Sequence, residues 1–484
     1  MKLKLKTYLS IGLVLLITLF IARPLIEKGL NHLPSGEYSI DFVDDSGYRI
    51  RMERPADTII SLYSAHTENL FALGLDREII GVGTSDVYPF KALSKEVYDY
   101  KSDPEKVIAA RPDVVLIRPF IERHSPDFVK SLRRTGITVI SLYPDNFNEF
   151  DEYIMKLGYL SGKEKTAKAH LDTFHEELEV YLKEANLIEN PIGVYFESSD
   201  REYKTVTGVS MPAHGIEFAG GKNIASDAEP IEEGSSIAIY GTEKIIERAN
   251  EIEVYVTQRG VMGAGGNTHS ISIRPGFDVI KAVKNDRVLE INQKIISSPT
   301  FRFTKGVNEL RRAFYPEIYD VISWPDEITR ANLSDILITY LHEPIFVPTA
   351  SYYRNEGKEH YFGAFEDVTL DHVYFDAIET AMQKGFFSNE IIDDLEYFHP
   401  DKSVTREEFA MILYIINDFK NEEVEIDDIE ICANPRIVQT IVARGLMDLE
   451  NGFFNPNERI SVVDVKKGLL NDWSKERKKV FPWC

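Results

Sequence analysis

The sequence predicts an α/β protein of two lobes joined by a long helix and followed by a small, mostly helical repeat domain. Short β-rich runs alternate with helical runs in two separate stretches, which is typical of parallel βαβ units. A long amphipathic segment connects the two stretches. In the last third of the chain, short helices with recurrent patterns replace this alternation. The expected boundaries are 1–26 for an N-terminal segment, 38–145 and 189–321 for the lobes, 146–188 for the connecting helix and 322–484 for the repeats.

The first lobe is predicted from the alternation between residues 58 and 142. Its clearest strand is 114–117, a continuous apolar run of the kind that is buried on both faces. Asp103 and Pro104 open a helix, with the aspartate as N-cap and the proline in the first turn. The predicted strands are 58–63, 78–82, 114–117 and 137–140, and the predicted helices are 67–74, one that starts at 103, and 128–134.

The connecting helix and the second lobe follow. A helix over 163–186 is roughly 35 Å long at about 1.5 Å per residue. Its apolar face is formed by Ala167, Leu171, Phe174, Leu178, Tyr181 and Ala185. The second lobe begins with a strand at 192–196. In both lobes a glutamate opens a helix that runs into a buried strand, Glu105 before 114–117 and Glu243 before 254–256, and this echo supports duplication of the lobe.

Composition excludes several classes of function. The chain carries 55 Lys and Arg against 78 Asp and Glu, a formal net charge of −23. Such a surface repels phosphate backbones, so we expect no nucleic-acid partner. The two cysteines, Cys432 and Cys484, could pair in an oxidising compartment, but by themselves they cannot form a thiolate zinc site.

The N-terminus has the layout of an export signal. Lys2, Lys4 and Lys6 precede an apolar run that extends from Tyr8 to Ala22. Phe20 stands where a cleavage site needs a small residue, which favours an uncleaved anchor over a removed signal peptide. We therefore expect the bulk of the chain outside the cell, anchored to the membrane or associated with the wall.

The tail contains an internal repeat. A Phe-x-Pro sequence, a short gap and then a helix start recur at a period of roughly 55–60 residues. Phe398-His399-Pro400 is matched by Phe454-Asn455-Pro456. The helix starts are Thr329-Arg330-Ala331-Asn332, Thr405-Arg406-Glu407-Glu408 and Ser461-Val462-Val463.

Residues from about 40 to 316 resemble the ABC solute-binding proteins that carry cobalamin, haem and ferric siderophores. The matching stretches are 64–70, 103–115, 217–225 and 283–288. The resemblance implies two Rossmann-like lobes joined by a rigid helix, a ligand in the cleft between them, an ABC permease dimer as partner, no cofactor and no catalysis. It also implies that Glu105 and Glu243, in the positions of the lobe-tip glutamates, dock on permease arginines. Stabilisation of the helix dipole is the alternative role for each acid.

The tail resembles S-layer homology repeats, which bind secondary cell-wall polymers. Thr405, Arg406 and Glu407 fit the best-known motif of that family, and Thr405 can cap the helix while the Arg406 guanidinium forks onto an acidic group of the polymer. In the alternative, Arg406 pairs with a nearby acid and helps the repeats to pack. A purely structural tail is thus also open.

Candidate ligand contacts follow from strand ends and aromatic residues. Arg118 follows the strand 114–117, and parallel sheets bind ligands beyond the carboxyl ends of their strands. Arg302 lies in the corresponding late region of the second lobe, and arginines suit the carboxylate or catecholate oxygens of anionic chelates. The candidate aromatic walls are Tyr88, Phe120, Tyr203 and Phe301. The alternative for each is a surface ion pair or ordinary packing.

Other polar residues do not assemble into a recognisable site. His66, His214 and His269 lack the short spacing of metal ligands, so no metal site is expected. The glycine-rich stretch 261–266 lacks the Lys-Ser/Thr of a P-loop, which favours a flexible loop over a nucleotide site.

The sequence therefore predicts an extracytoplasmic solute-binding protein of an ABC importer. A ferric siderophore is the first choice of ligand, with cobalamin or haem behind it. The alternative from another class is a wall-bound structural or adhesion protein that has lost transport. A secreted enzyme comes third, because no nucleophile–base pair or metal constellation is evident.

Overall fold

A computed structural model describes residues 39–232, 235–260, 266–319, 327–341, 346, 363–369, 372–393, 395–417 and 419–470. The strands are β1 Ile40–Val43, β2 Arg49–Met52, β3 Ile59–Ser61, β4 Ile79–Gly83, β5 Glu96–Tyr98, β6 Val114–Ile117, β7 Thr138–Ser141, β8 Ile192–Glu197, β9 Lys204–Val206, β10 Gly221–Asn223, β11 Glu229–Pro230, β12 Ile237–Ile239, β13 Val254–Arg259, β14 Val288–Asn292, β15 Glu390–Ile392 and β16 Leu395–Tyr397. The helices are α1 Ser64–Ala72, α2 Glu105–Ala110, α3 Pro119–His124, α4 Pro126–Arg134, α5 Phe150–Ser161, α6 Glu164–Ala185, α7 Met211–Phe218, α8 Thr242–Glu247, α9 Thr268–Ser272, α10 Lys281–Lys284, α11 Gln293–Ile296, α12 Phe303–Phe314, α13 Pro316–Tyr319, α14 Arg330–Tyr340, α15 Phe375–Gln383, α16 Arg406–Asn417, α17 Pro435–Ala443 and α18 Val462–Leu470.

The first lobe is built on a five-stranded parallel sheet in the order β5-β4-β3-β6-β7. Every residue of β6 is buried, because helices cover both faces of a parallel sheet. The four strands predicted for this lobe are confirmed to within two residues. The predicted helix 67–74 begins earlier, at Ser64, directly beyond the carboxyl end of β3. The sheet order therefore places the segments after β3, β6 and β7 next to one another at one edge.

Two helices, α5 and α6, form the connection between the lobes. The helix predicted over 163–186 is confirmed as α6. The connecting segment 146–188 also contains α5, which ends at Gly162, a residue with a left-handed backbone of φ +68°. The predicted apolar face of α6 is confirmed for Ala167, Leu171, Phe174 and Leu178, which are all buried. These side chains belong to one apolar core that contains residues of both lobes, so the connection packs as a strut between them.

The second lobe has a four-stranded parallel sheet in the order β10-β8-β13-β14. Its central strand β8 is buried at all of its residues. A smaller antiparallel sheet, in the order β11-β12-β9, lies beside it. The echo between the lobes is confirmed in outline, because α2 precedes β6 in the first lobe and α8 precedes β13 in the second.

The tail has its own apolar core, in which α14 to α18 contribute most of the buried side chains. Leu93 of the first lobe belongs to that core. In the second lobe, the Lys305 Nζ of α12 lies 4.0 Å from a carboxylate oxygen of Asp376 in α15. The tail therefore contacts both lobes.

The sequence repeat in the tail corresponds to a repeated structural unit. Asp367 accepts hydrogen bonds from the backbone N–H groups of Phe398 and His399 at 2.8 and 2.7 Å. Asp428 does the same for the backbone N–H groups of Phe454 and Asn455 at 2.7 and 2.8 Å. Each helix start is capped by a hydroxyl, and the capping residues are Thr329, Thr405 and Ser461.

Some predicted features lie outside the described residues, namely the N-terminal segment 1–26, most of the glycine-rich stretch, and Cys484 with its pairing to Cys432. Cys432 itself is buried as a free thiol. No helix among the described residues combines the length and the apolarity that a membrane crossing requires.

Candidate functional site

Arg118 lies between two aromatic rings at the carboxyl edge of the first sheet. Its guanidinium carbon is 5.0 Å from the ring centroid of Tyr63 and 4.7 Å from that of Phe120. Tyr63 follows β3 and Arg118 follows β6, the neighbouring strand, while Phe120 lies in the first turn of α3. Tyr143 follows β7, and its ring centroid is 6.0 Å from that of Tyr63. The four half-buried residues Tyr63, Arg118, Phe120 and Tyr143 are called here the Arg118 cluster.

The Arg118 cluster is a cation with aromatic walls and no paired anion. No hydrogen bond or ion pair joins Arg118 to a carboxylate within the described part of the chain. Burial raises the pKa of Tyr63 and of Tyr143, so both phenols are neutral at pH 7. When a guanidinium stacks on aromatic rings, the rings cover its faces. Its N–H groups point outwards in the plane of the guanidinium and stay available for oxygen acceptors. The cluster can therefore bind an anionic, planar or oxygen-rich ligand.

The second lobe contributes polar groups near this edge. Lys294, just beyond β14, donates a hydrogen bond from Nζ to the Ser64 hydroxyl at the start of α1. Burial lowers the pKa of Lys294. Gln258 is held by a bond from its Nε2 to the carbonyl oxygen of Ser198 at 2.6 Å and by a bond from the Ser297 hydroxyl at 2.6 Å. The carboxyl edges of the two sheets thus approach each other in this region.

Arg302 connects the two lobes and is not free to bind a ligand. Its Nε and one terminal nitrogen donate to the Glu68 carboxylate at 2.7 and 2.6 Å, and its guanidinium carbon lies 3.5 Å from the ring centroid of Tyr88. Asn69 adds a bond from Nδ2 to the carbonyl oxygen of Pro299 at 2.9 Å. The alternative given for Arg302, an ion pair, therefore describes its contacts better than the predicted ligand contact, because the first lobe supplies its anion.

The remaining predicted aromatic residues lie in other environments. Phe301 packs edge-on against Phe150 and Phe174 at centroid distances of 5.7 and 6.0 Å, within the core shared by the lobes. Tyr203 lies 5.0 Å from the guanidinium carbon of Arg274, which pairs with buried Glu197. Of the six predicted ligand contacts, only Arg118 and Phe120 come together in the Arg118 cluster. Sequence reasoning missed Tyr63 and Tyr143, although both follow strand ends as Arg118 does.

Buried polar residues behind the cluster have structural partners. His66 has its Nδ1 2.8 Å from the Tyr153 hydroxyl and its Nε2 3.0 Å from the carbonyl oxygen of Ile117. Burial lowers the pKa of His66 to about 4, so the ring is neutral at pH 7. Asp86 accepts from the Thr67 hydroxyl at 2.5 Å and from the backbone N–H of Gly83 at 3.0 Å. No group of His, Cys, Asp and Glu with metal-binding geometry occurs among the described residues.

The two candidate docking acids are exposed. Glu105 is the first residue of α2, and Glu243 lies in the first turn of α8. Asp103 accepts a hydrogen bond from the backbone N–H of Glu105 at 3.0 Å, and the N-cap position itself is held by Pro104 rather than by Asp103 as predicted. No ion pair joins either glutamate to another described residue, so both carboxylates are accessible to a partner.

The wall-binding residues of the tail are engaged within it. Arg406 is buried and donates to the carbonyl oxygen of Phe454 at 2.7 Å, to Asp464 at 2.7 Å and to the carbonyl oxygen of Asp448 at 2.6 Å. The Glu407 carboxylate accepts from the backbone N–H of Asn434 at 2.6 Å. The expectation of a free Arg406 guanidinium is therefore wrong, and the alternative, in which Arg406 pairs with an acid and helps the repeats to pack, describes its contacts.

Comparisons with known proteins give a family match within the part of the chain that forms the two lobes. Residues 59–295 match the model of the family described as periplasmic binding protein. The uncharacterized ABC transporter substrate-binding lipoprotein YvrC of Bacillus subtilis is 27% identical over 287 residues, which cover 58% of this chain and 87% of that protein. The vitamin B12-binding protein of Vibrio campbellii is 27% identical over 262 residues, which cover 54% of this chain and 90% of that protein.

Solved structures of similar architecture include a possible iron-binding (periplasmic solute-binding) protein from Staphylococcus epidermidis, with a TM-score of 0.47 and 25% identity over 54% of this chain and 100% of that one. Another is the periplasmic vitamin B12 binding protein BtuF of Vibrio cholerae, with a TM-score of 0.43 and 22% identity over 55% of this chain and 99% of that one. The family match ends at residue 295, before the tail.

Proposed function

We propose that the chain is the extracytoplasmic substrate-binding component of an ABC importer of the cobalamin, haem and ferric-siderophore class. The family match over the two lobes and the relatives named above support this class. The observation that carries a ligand is the unpaired Arg118 guanidinium between the rings of Tyr63 and Phe120. In this function the protein binds its ligand and delivers it, without a chemical step.

Within that class, a ferric siderophore is the ligand that the Arg118 cluster favours. Carboxylate or catecholate oxygens accept charge-assisted hydrogen bonds from a guanidinium, each stronger than a neutral bond. The rings of Tyr63, Phe120 and Tyr143 supply flat apolar surfaces for the organic part of a chelate. The absence of an acid paired to Arg118 among the described residues leaves its charge available to an anion.

A corrinoid is the second candidate, and the name of the Vibrio campbellii relative favours it. Isothermal titration of the purified chain with ferric enterobactin, haemin and cyanocobalamin distinguishes these ligands. We expect the tightest binding for the ferric catecholate. Tighter binding of cyanocobalamin would assign the corrinoid instead, and no binding of any of the three would contradict the proposed class.

The outward contacts of this function involve Glu105, Glu243 and the tail. Glu105 and Glu243 are proposed to meet arginines on the two subunits of the permease, because an exposed acid on each lobe gives a two-point electrostatic fit to a dimer. The tail is proposed to hold the protein at the wall through a surface other than the Arg406 guanidinium, which is occupied by internal partners.

A further inference from the structure

The tail reaches back from the second lobe to the first. It follows α13 of the second lobe in the chain, so its attachment to that lobe is covalent. Its contact with the first lobe is made by side chains. Leu93, which is 7% exposed, belongs to the apolar core of the tail, and half-buried Val87 packs against the same core. The neighbouring Ala92 belongs instead to the core that the lobes share. The segment 87–93 is therefore held between the two cores.

On the second lobe, Lys305 of α12 lies among three carboxylates. Its Nζ is 4.0 Å from a carboxylate oxygen of Asp376 in α15. Burial raises the pKa of Glu309, one turn further along α12, and of Asp335 in α14, and for both acids Lys305 is the main charge that opposes the rise. Two of the three acids belong to tail helices. The ammonium group therefore joins the second lobe to the tail.

The two places that the tail contacts also contact each other. Tyr88 lies in the segment 87–93, and its ring centroid is 3.5 Å from the guanidinium carbon of Arg302, in the residue before α12. Burial and the Glu68 carboxylate have the largest effects on the pKa of Arg302, and burial raises the pKa of Tyr88. The Asp376 carboxylate of the tail raises both pKa values further. The tail therefore lies against the point where the two lobes meet.

These contacts make the tail a second connection between the lobes, beside the strut of α5 and α6. A change in the separation of the lobes moves Leu93 relative to Lys305. Either Leu93 must then leave the apolar core of the tail, or Lys305 must leave Asp376. Exposure of a buried leucine to water and separation of an ion pair both cost free energy, and the leucine is the larger of the two contributions.

We propose that the tail is a clamp that holds the two lobes at a fixed separation. Its fixed end is the covalent connection to the second lobe, and Leu93 with Val87 is its contact with the first lobe. Lobes joined by the strut alone pivot about it, and the tail removes this freedom. The clamp limits the opening of the cleft between the lobes whether or not a ligand is bound, so it does not depend on the function proposed above.

The distance between spin labels on the two lobes of the full chain tests the clamp. Lys130→Cys and Lys222→Cys place the labels at exposed residues of different lobes, and Cys432→Ala with Cys484→Ala removes the native thiols. Double electron–electron resonance should give a single narrow distance distribution. Leu93→Asp puts a charge into the contact with the tail core, and we expect it to widen this distribution at least about twofold.

Leu187→Asp is the matched control, because Leu187 is a leucine that is 81% exposed, and it should keep the parent distribution. Lys305→Asp and Asp376→Lys should each widen the distribution. The two together restore opposite charges and should narrow it again. Thermal unfolding establishes that every variant is folded. The charge exchange, at positions that are 53% and 22% exposed, tests the clamp independently if Leu93→Asp does not fold.

Hydrogen exchange of the backbone amides in 87–93 reports whether the tail has left the first lobe, and Leu93→Asp should accelerate it at least about tenfold. Faster exchange with an unchanged distance distribution would mean that α5 and α6 alone fix the lobes, which overturns the proposal. Exchange and distances that both match the parent would mean that Leu93 does not hold the tail, and this result overturns it as well. So does a charge exchange that fails to narrow the distribution widened by its two single variants.

Discussion

Glu68 of the first lobe and Arg302 of the second lobe form two hydrogen bonds, 2.7 and 2.6 Å long, across 234 residues of sequence. Their side chains are 8% and 19% exposed, so the pair is largely removed from water. The planar guanidinium fits the carboxylate in a forked geometry that a lysine cannot reproduce. This pair defines how the second lobe sits on α1.

Removal of Arg302 should therefore destabilise the protein. Arg302→Leu leaves the buried Glu68 carboxylate without its cation, and we expect the free energy of unfolding to fall by about 3–5 kcal/mol. Urea unfolding at pH 7 measures the loss. In the double variant with Glu68→Met, no carboxylate remains, and a substantial part of the stability should return. An Arg302→Leu variant within about 1 kcal/mol of the parent would show that the pair does not hold the lobes together.

The Arg118 cluster should determine the affinity for anionic chelates. Arg118→Ala removes charge-assisted hydrogen bonds and should weaken the binding of ferric enterobactin by about 1.5–3 kcal/mol. Binding of a ligand without anionic oxygens should change much less. Arg123→Ala is the matched control, because Arg123 is an exposed arginine of the neighbouring helix α3. Equal affinities of Arg118→Ala and the parent in isothermal titration would remove Arg118 from the site.

The stability of the first lobe between pH 4 and 6.5 should depend on two buried groups that act in opposite directions. Burial lowers the pKa of His66 to about 4 from 6.5. The neutral ring therefore contributes to the free energy of unfolding above pH 6.5, and this contribution is lost as the pH falls towards 4. Burial raises the pKa of Asp86 to about 6 from 3.8. Folded Asp86 therefore holds its proton more tightly than unfolded Asp86, and it favours folding increasingly as the pH falls through this range.

In Asp86→Asn, the loss of stability that His66 causes as the pH falls should become visible. Between pH 6.5 and pH 4.5 the variant should lose about 2 kcal/mol more stability than the parent, because the compensating protonation of Asp86 is gone. Urea unfolding at the two pH values gives the difference, which is independent of any constant cost of the substitution. Asp127→Asn, at an almost fully exposed residue, should follow the parent. Parallel pH profiles of Asp86→Asn and the parent would contradict the raised pKa of Asp86.

Permease docking should depend on one acid from each lobe. Glu105→Arg combined with Glu243→Arg should abolish ligand uptake in cells and leave the ligand affinity of the purified protein unchanged, because both residues are exposed and lie outside the Arg118 cluster. Glu189→Arg combined with Glu247→Arg, at two other exposed glutamates, makes the same change in net charge and should retain uptake. Normal uptake by the first pair at normal expression would refute the docking role.

Local patterns predicted the strands well but could not predict contacts between distant segments. The run 114–117 is apolar at every position, and the structure buries it as a central strand. Nothing near Arg302 in sequence indicates Glu68, because an ion pair over 234 residues depends on how the lobes pack. The helix over 163–186 was predicted to within one residue at each end, because its apolar spacing is regular. The position just after a strand end was a useful signal, because it identified Arg118 after β6. The same rule applied to β3 and β7 identifies Tyr63 and Tyr143.

The tail contains two equivalent arginines that join successive repeats. Arg330 donates to the carbonyl oxygen of Phe398 and to Glu408, as Arg406 donates to the carbonyl oxygen of Phe454 and to Asp464. Each arginine thus links the start of its own helix to the acid in the first turn of the next repeat helix. In the third unit Val462 stands at the arginine position, so the described residues contain two such links.

Arg406→Ala should therefore unfold the tail rather than only remove a wall contact. The Asp464 side chain, 12% exposed, would lose its cation, and we expect a loss of about 3 kcal/mol in the stability of the tail. Sedimentation of the full chain with purified cell walls should fall in parallel with the thermal unfolding temperature. Arg436→Ala removes an exposed arginine of α17 and should leave the unfolding temperature unchanged. Loss of wall binding by Arg406→Ala at unchanged stability would instead mean that the Arg406 guanidinium reaches the polymer.

A chain that ends at residue 321 tests whether the tail binds the wall at all. If the parent sediments no more than this shorter chain, the tail does not bind the wall. Its remaining role is then to support the lobes, because its core packs against Leu93 of the first lobe.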